Sequence, residues 1–284
     1  MQVLFEEICN SINESFKKFT PLSGGDSNAV FLLETTSKKR VVKLNNSSKF
    51  PTMFEAEAKG LQLLKNKSNF VVPKVLQFGE VNHYAYLILE HIEQGKPKVN
   101  FSAEFGKKLA ELHQNSSTLF GLNHSNYIGL LPQKNPRILK ANDFYVYHRL
   151  APQFELAKKQ GFEFKNLEQF YQTAMEIVPD EPPSLIHGDL WRGNFMISQN
   201  GTPVLIDPAV AYAPREMDLA MMQLFGGFDE QVFESYHQHF PLDENWKSRV
   251  ELFQLYYLLV HLNLFGKSYF SSVNNIIQKY VYLD

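Results

Sequence analysis

The stretch LIHGDLWRGNFMISQNGTPVLID, residues 185–207, contains the features that decide both the fold and the chemistry of this chain. Three of its polar residues are spaced five and thirteen positions apart: Asp189, Asn194 and Asp207. Asn200-Gly201 lies between two short apolar runs and is a dipeptide that favours a tight hairpin turn. Such a hairpin returns Asp207 to the loop that carries Asp189 and Asn194. Two carboxylates and one amide then meet, which predicts a site for magnesium and phosphate.

The spacing of these residues indicates phosphoryl transfer. This reaction requires a protein to position the acceptor hydroxyl, hold magnesium on the phosphates and accept a proton. The catalytic loop of protein kinases carries Asp and, five residues later, Asn, and Asp189 and Asn194 have this spacing. Asp189 is therefore the predicted catalytic base, and Asn194 and Asp207 are the predicted magnesium ligands. His187 matches the leading histidine of the loop and is expected to support it.

Two positions depart from the protein-kinase pattern. Gly188 replaces the arginine of the loop, and Asp207-Pro-Ala replaces Asp-Phe-Gly. Because the residues that are replaced serve control of the activation loop, the departure argues against an ordinary protein kinase.

Candidate nucleotide-binding residues lie upstream of the central stretch. Gly24-Gly25 precedes a strand-like run, and it suits either a plain hairpin or a loop whose backbone approaches the phosphates of a nucleotide. Lys43 stands within an apolar strand, where a lysine is disfavoured unless its ammonium has a partner. Glu57 shares a helical face with apolar residues, so it is the predicted partner of Lys43 above a bound phosphate chain. The alternative is an edge-strand lysine beside a solvated glutamate, with Glu55 as a competing partner.

The pattern of apolar residues predicts an α+β fold. An amphipathic helix is expected over residues 3–18 and a second helix over residues 54–64. Strand-like runs occupy residues 29–35, 41–44, 71–78 and 85–90. Together they indicate a small antiparallel sheet of about five strands with one helix packed on it.

The rest of the chain is predominantly helical. Helices are expected over residues 101–115, 142–159 and 164–178, with a loop-rich segment at 116–140. We therefore predict a nucleotide-binding lobe at residues 1–92 and a catalytic and substrate lobe at residues 93–284. A segment that joins two lobes offers backbone groups to a flat heterocycle, so Glu90, His91 and Ile92 are the predicted adenine-binding hinge.

Composition limits the partners and the compartment. The chain has 284 residues and a net charge of −2, which lacks the basic surface that nucleic-acid binding requires. Its single cysteine, Cys9, excludes an intramolecular disulfide and favours a reducing, cytoplasmic compartment; we expect it in the core. The N-terminus has no signal-peptide pattern, and the longest apolar stretch, residues 252–265, is too short and polar to span a bilayer. We expect a monomeric protein that binds neither nucleic acid nor a membrane.

The flanks of the central motif carry a family resemblance. HGDLWRGN and IDPAVAYAPREMDLAMM resemble the fructosamine kinase (ketosamine-3-kinase) family, whose relatives include aminoglycoside and choline kinases. The likeness covers nearly the whole chain. MFEAEAKGLQLL resembles the helix of that family's N-terminal lobe, YIGLLPQKN and RLAPQFELA resemble its middle, and LFGGF, PLDENW and LYYLLVHLNLFG resemble its C-terminal lobe.

The resemblance implies a protein-kinase-like two-lobed fold, with a five-stranded antiparallel sheet and a helix in the N-terminal lobe and a mostly helical C-terminal lobe. It implies ATP and Mg²⁺ as cofactors. The implied substrates are ketosamines of the fructosamine or ribulosamine type, free or on the lysine side chains of glycated proteins, phosphorylated on the sugar 3-hydroxyl. The product is unstable and releases the amine, which implies a role in protein deglycation.

Three more residues beside the motif are candidates for the site. Trp191, next to Asp189, suits either contact with a sugar face or packing of the lobe. Asp218 is expected to brace the catalytic loop through backbone N–H groups. Glu216 suits either the hydroxyls or amine of the substrate or a salt bridge with Arg215.

The chain departs from the family in one segment. Tryptophans follow the PQ-x-N motif in the family, but here residues 136–139 are Pro-Arg-Ile-Leu, and the tryptophans of the chain are Trp191 and Trp246. This segment is expected to wall the substrate pocket, so the departure concerns the sugar rather than the phosphoryl chemistry.

Two other functions compete with ketosamine phosphorylation. A kinase for another small hydroxylated amine, of the aminoglycoside or choline type, is disfavoured by the motifs after Asp207 and by the lack of a dense acidic cluster. A non-catalytic nucleotide-binding scaffold is disfavoured because all four residues that the chemistry needs are present: Lys43, Asp189, Asn194 and Asp207.

Overall fold

The computed structural model describes residues 1–22 and 28–282 and shows an α+β protein. Its helices are α1 (Gln2–Asn10), α2 (Met53–Lys67), α3 (Phe101–His113), α4 (Ala141–Tyr145), α5 (Ala151–Lys159), α6 (Leu167–Ile177), α7 (Glu216–Leu224), α8 (Glu230–His239), α9 (Trp246–Phe265) and α10 (Phe270–Val281). Its strands are β1 (Phe16–Pro21), β2 (Ala29–Thr35), β3 (Lys39–Asn46), β4 (Val75–Val81), β5 (Tyr84–Glu90), β6 (Asn126–Ile128), β7 (Leu131–Gln133), β8 (Ser184–Ile186), β9 (Phe195–Ile197), β10 (Pro203–Leu205) and β11 (Ala211–Ala213).

The chain divides into two compact units. The first, here called the sheet unit, consists of Met1–Phe101 and Gly193–Pro208; the second, the helical unit, consists of Ser102–Arg192 and Ala209–Asp284. The sheet unit thus extends beyond residue 92, where the sequence placed the lobe boundary, and also takes in the hairpin of the central stretch. The roles assigned to the two predicted lobes stay predictions.

The sheet unit contains the predicted five-stranded antiparallel sheet, in the order β1-β2-β3-β5-β4. Its first strand corrects the prediction of one helix over residues 3–18. Asn13 has a φ of 57°, a left-handed conformation that ends a helix, and the chain after it is extended. The helical spacing of Phe16 was misleading, because Phe16 and Phe19 pack against Phe5 from the first strand. The strand expected over 71–78 begins only at Val75.

One face of this sheet packs against α1. Leu4, Phe5 and Ile8 of α1 are buried against side chains of β2, β3 and β5. Cys9 belongs to the same cluster with 1% of its surface exposed, and burial, followed by the charge of Glu14, raises the pKa of its thiol to about 11. The cysteine is therefore a core residue, as predicted.

The helical unit is built around α9, which is buried along most of its length because α5, α7 and α10 pack against it. The predicted helices over 101–115, 142–159 and 164–178 are present; in the second, a π-helical turn at Val146–Leu150 joins α4 to α5. The segment expected to be loop-rich contains the β6–β7 hairpin. The apolar stretch 252–265 lies in α9, and within residues 1–22 and 28–282 no helix has the length and apolarity to cross a membrane.

Candidate active site

The hairpin predicted from Asn200-Gly201 is present in the sheet unit. Strands β9 and β10 pair through Ile197 and Pro203, and the N–H of Gly201 donates to the carbonyl oxygen of Ser198 at 2.8 Å. Of the dipeptide, only Gly201 has a positive φ, 73°. The connection is therefore a turn closed by one left-handed glycine rather than a turn with two left-handed residues. The backbone N–H of Ile206 donates to the carbonyl oxygen of Asn194 at 3.0 Å, so the residue before Asp207 is tied to Asn194.

Lys43 is the centre of a buried ionic cluster in this unit. Its Nζ donates to Oε1 and Oε2 of Glu57 at 2.7 and 2.8 Å, and lies 3.1 Å from Oδ1 of Asp207. Since successive side chains of a strand point to opposite faces, Lys43 lies on the face away from α1. Glu57 comes from α2, which packs against β4 and β5. The predicted pairing of Lys43 with Glu57 is present, and Asp207 joins it.

The electrostatics of this cluster follow from two carboxylates sharing one ammonium. Burial alone would lower the pKa of Lys43, whose side chain is 4% exposed, but the charges of Asp207 and Glu57 outweigh it and raise that pKa above its ordinary value. Burial raises the pKa of Glu57, with a further contribution from Asp207 and an opposing one from Lys43. The cluster thus keeps its lysine charged and has an excess of negative charge that a cation would offset.

Asp207 combines a strained backbone with a partly exposed carboxylate. Its φ of 54° is left-handed, which Asp tolerates better than most residues, and its side chain is 33% exposed. In the described ranges 1–22 and 28–282, no three His, Cys, Asp or Glu side chains form a metal cluster. A magnesium ion shared with phosphates needs only one or two carboxylates from the protein, so the oxygens of Asp207 and Asn194 are a donor set that fits this ion.

The predicted hinge residues lie at the end of β5. Glu90 is the last residue of β5, and its N–H donates to the carbonyl oxygen of Lys74 at 2.9 Å. His91 and Ile92 follow it outside the strand; burial, then the charge of Lys39, lowers the pKa of His91. Gly24 and Gly25 lie outside the described residues. The hinge and glycine-loop roles stay predictions.

The loop that carries Asp189 follows β8 in the helical unit and is held by Asp218. The backbone N–H of His187 donates to Oδ2 of Asp218 at 2.7 Å, and that of Gly188 donates to Oδ1 at 2.8 Å. Asp218 is completely buried. The bracing contact expected of this carboxylate is therefore present, and it uses both oxygens.

Gly188 is required by geometry at this point. Its φ is +84°, and a Cβ placed on it would lie 2.1 Å from the carbonyl oxygen of Ala209. The N–H of Ala209 in turn donates to the carbonyl oxygen of His187 at 2.9 Å. This close approach of two backbone segments explains why glycine replaces the arginine of the protein-kinase loop.

A second layer of buried side chains holds Asp218. His113 lies with Nε2 3.2 Å from Oδ2 of Asp218 and with Nδ1 2.9 Å from the hydroxyl of Tyr236. His113 is 1% exposed, and its hydrogen bonds connect α3 and α8, through Asp218, to the loop of Asp189. The sequence offered no signal for this link, because the three residues are far apart along the chain.

Asp189 is half-buried in this loop and Trp191 is exposed. The N–H of Asp189 donates to Nδ1 of the buried His187 at 3.3 Å, and the N–H of Trp191 donates to the carbonyl oxygen of Asp189 at 3.2 Å. Trp191 is 38% exposed and meets Phe225 edge to face. The roles of Asp189 as base and of Trp191 as substrate contact stay predictions.

The pairing suggested for Glu216 and Arg215 is wrong. Both oxygens of Glu216, which is 2% exposed, accept hydrogen bonds from Arg249 at 2.9 and 2.6 Å. Arg215 instead donates to the two carboxylate oxygens of Glu181 at 2.8 and 2.7 Å. Burial and this bidentate contact disfavour Glu216 as a substrate ligand, although that role stays untested.

A buried amide network lies under the segment that follows Asp207, and the sequence did not predict it. Gln133 donates to Oδ1 of Asn126 at 2.8 Å and to the carbonyl oxygen of Ala209 at 3.3 Å, and it accepts from the hydroxyl of Tyr256 at 2.5 Å. Asn126 also donates to the carbonyl oxygen of Val210 at 2.9 Å. Gln133 belongs to the PQKN segment, whose polar residues were the available signal. It contacts Ala209, whose N–H donates to His187 in the loop of Asp189.

The architecture is that of kinase-like phosphotransferases. The crystal structure of a thermostable mutant of aminoglycoside phosphotransferase APH(4)-Ia matches with a TM-score of 0.61 at 15% identity, over 97% of this chain and 98% of that one. A Haemophilus somnus protein named as a fructosamine-3-kinase matches with a TM-score of 0.88 at 27% identity, over 97% and 96% of the two chains. The family model described as fructosamine kinase matches residues 2–282. The chain belongs to the fructosamine kinase family.

Relatives along the whole chain agree with this assignment. A protein of Enterococcus faecium named as a ketoamine kinase is 39% identical over 270 residues, covering 93% of this chain and 95% of the relative. An Arabidopsis thaliana protein named protein-ribulosamine 3-kinase, chloroplastic, is 34% identical over 272 residues, covering 93% and 82%. The resemblance and the two-part α+β fold predicted from the sequence are thus confirmed.

Proposed function

We propose that this protein is an ATP- and magnesium-dependent kinase that phosphorylates the sugar 3-hydroxyl of ketosamines. Membership of the fructosamine kinase family supports the substrate class. The observation that carries the phosphoryl chemistry is the buried cluster of Lys43, Glu57 and Asp207, in which one ammonium is held at a fixed position by two carboxylates.

Each residue of the sheet unit has a distinct task in this proposal. Lys43 binds phosphate oxygens of ATP, and Glu57 holds its Nζ in place. Asp207 and Asn194 hold magnesium, which offsets charge on the phosphates when it is bound. Glu90, His91 and Ile92 contact adenine, and Gly24 and Gly25 approach the phosphates.

The helical unit supplies the base. The oxygen of the sugar 3-hydroxyl attacks the γ-phosphorus, the bond from this phosphorus to ADP breaks, and Asp189 accepts the hydroxyl proton. His187 and Asp218 keep the loop of Asp189 in one conformation through the hydrogen bonds described above. The ketosamine 3-phosphate is unstable and releases its amine, which would make the reaction a deglycation step for glycated lysines.

The experiment that tests this function measures ADP release from ATP-Mg²⁺ with a panel of acceptors: fructosamine and ribulosamine derivatives, choline and an aminoglycoside. We expect turnover of a ketosamine, and a loss of at least about a hundredfold in Asp189→Asn, given the usual contribution of a general base. Turnover of choline or the aminoglycoside alone would contradict the substrate class. An Asp189→Asn protein with full activity would show that the base is a different residue.

The substrates, the oligomeric state and the compartment of the protein are also proposed. We propose free ketosamines or glycated lysines on proteins as substrates, a monomeric enzyme, and the cytoplasm as the compartment, for which the single buried cysteine is the support.

A further inference from the structure

A row of exposed and half-buried aromatic rings runs along the helical unit from the loop of Asp189. We call this set the aromatic row: Trp191, Phe225, His261, Phe265 and Tyr269. The ring centroids of Trp191 and Phe225 are 6.3 Å apart, and those of Phe225 and His261 are 4.8 Å apart. His261 is then 5.4 Å from Phe265 and 5.2 Å from Tyr269. The rings therefore form one continuous surface.

Three rings of the aromatic row are more exposed than residues that pack within the core. Trp191, Phe225 and Phe265 have 38%, 42% and 48% of their surface exposed. By contrast, Phe253 and Tyr257, which lie on α9 as Phe265 does, are fully buried. Contiguous exposed apolar side chains mark binding surfaces in soluble proteins. The row is such a surface, and its first member is two residues from the predicted base.

Local backbone geometry in three separate segments brings these rings together. His261 and Phe265 are one helical turn apart on α9, and Nδ1 of His261 lies 2.8 Å from the carbonyl oxygen of Tyr257, which orients its ring. Gly266, with a φ of +87°, ends α9, and the 3₁₀ turn Lys267–Tyr269 returns Tyr269 to the same face. Gly226, with a φ of +70°, follows Phe225 after α7.

We propose that the aromatic row binds the amine-bearing carrier of the ketosamine, namely the secondary ammonium and the alkyl chain of a glycated lysine. This inference rests on the proposed function. Aromatic faces pack on alkyl chains and attract cations, and a ketosamine joins its sugar to both. Trp191 places the start of the row at the loop of Asp189, where the sugar reacts, and the other rings extend the surface for the carrier.

The test compares two ketosamines of fructose that both carry a cationic amine and differ in the alkyl chain of the carrier: one with a free primary amine, and one on the side chain of Nα-acetyl-lysine. Phe265→Ala should raise the ratio of the KM for the lysine-borne substrate to the KM for the carrier-free one by about fivefold, as expected for the loss of one packing contact with the alkyl chain, since both substrates keep the ammonium. Phe225→Ala should raise the same ratio. The matched control is Tyr147→Ala, an aromatic residue 53% exposed elsewhere in the helical unit, which should leave the ratio unchanged.

Several outcomes would overturn the inference. Equal rises of both KM values would assign the row to the sugar or to the fold, and thermal unfolding of each variant separates these two. A KM ratio that stays constant while the mass by light scattering falls would show that the row joins two copies of this chain. If the unaltered protein turns over the carrier-free ketosamine and Phe265→Ala changes nothing, only this inference fails. If it turns over no ketosamine, the proposed function fails as well.

Discussion

The ammonium of Lys43 lies 3.1 Å from a carboxylate oxygen of Asp207, although Lys43 belongs to β3 and Asp207 follows β10. The same ammonium is held by both oxygens of Glu57 from α2. Three segments that are distant in the sequence therefore converge on one buried charge, and the first prediction concerns its removal.

Lys43→Met should lower the free energy of unfolding by about 3 to 5 kcal/mol, because it leaves the largely buried carboxylate of Glu57 without its cation. It should also lower the rate of ADP formation at least about a hundredfold. Urea unfolding and the acceptor assay measure the two effects. Lys39→Met, at the exposed start of the same strand, is the control and should be near neutral.

The double variant Lys43→Met/Glu57→Gln separates stability from function at this cluster. Removing one unpaired carboxylate should recover part of the lost stability, since the cost of an uncompensated buried charge falls. Activity should stay low because the phosphate-binding ammonium is still absent. Recovery of activity along with stability would contradict a direct role for Lys43.

Asp218→Asn should weaken the brace of the catalytic loop. An amide has one oxygen for the two backbone N–H groups of His187 and Gly188, and its NH₂ group would face a donor. We expect a loss of about 2 to 3 kcal/mol of unfolding free energy and reduced kcat, measured by denaturation and by ADP release. Asp229→Asn, which alters an exposed hydrogen bond to Ser102 in the same unit, serves as the comparison. Equal behaviour of the two variants would show that the brace has no special role.

Gly188→Ala and Gly226→Ala form a matched pair, since both glycines have left-handed backbones, with φ values of +84° and +70°. At Gly226 the added Cβ meets nothing within 4 Å, so only the backbone penalty of about 1 kcal/mol applies. At Gly188 the Cβ would overlap the carbonyl oxygen of Ala209. Gly188→Ala should therefore lower the Tm much further and abolish activity; similar Tm values for the two would contradict the geometry described for this loop.

The pair Glu14–Arg40 gives a prediction about pH. Nε and Nη2 of Arg40 both donate to Glu14, and together with the hydroxyl of Thr35 they outweigh burial, so the pKa of Glu14 lies below its ordinary value of 4.5. A carboxylate with a lowered pKa contributes stability above the ordinary value, and this contribution is lost as the pH falls through the lowered pKa.

Glu14→Gln should consequently cost about 1 to 2 kcal/mol at pH 7, and the difference from the unaltered protein should shrink as the pH falls below 4.5. Urea unfolding at several pH values measures this. Glu80→Gln, on the exposed part of β4, is the control. A difference that stays constant down to pH 3 would show that the ion pair does not stabilise the fold.

Local patterns in the sequence were enough to predict most elements and the hairpin of the central stretch. Apolar periodicity predicted β2, β3 and α2, and turn chemistry predicted the β9–β10 hairpin, because each depends on residues that are near neighbours in the chain. Lysine in an apolar strand and glutamate on the apolar face of the next helix predicted the pair of Lys43 and Glu57 for the same reason, since burial of each charge demanded a partner.

The tertiary structure alone decided which distant groups meet. The periodicity of residues 3–18 did not distinguish α1 from β1, because Phe16 continues the four-residue apolar spacing of a helix although it packs on Phe5 from the strand; the left-handed Asn13 and the pairing with β2 decided for the strand. Glu216 found Arg249 rather than its neighbour Arg215, because α9 presents Arg249 to α7. The aromatic row likewise comes from three segments. Contacts of this kind depend on how helices and strands pack against one another. Patterns among residues that are close in the sequence do not determine that packing.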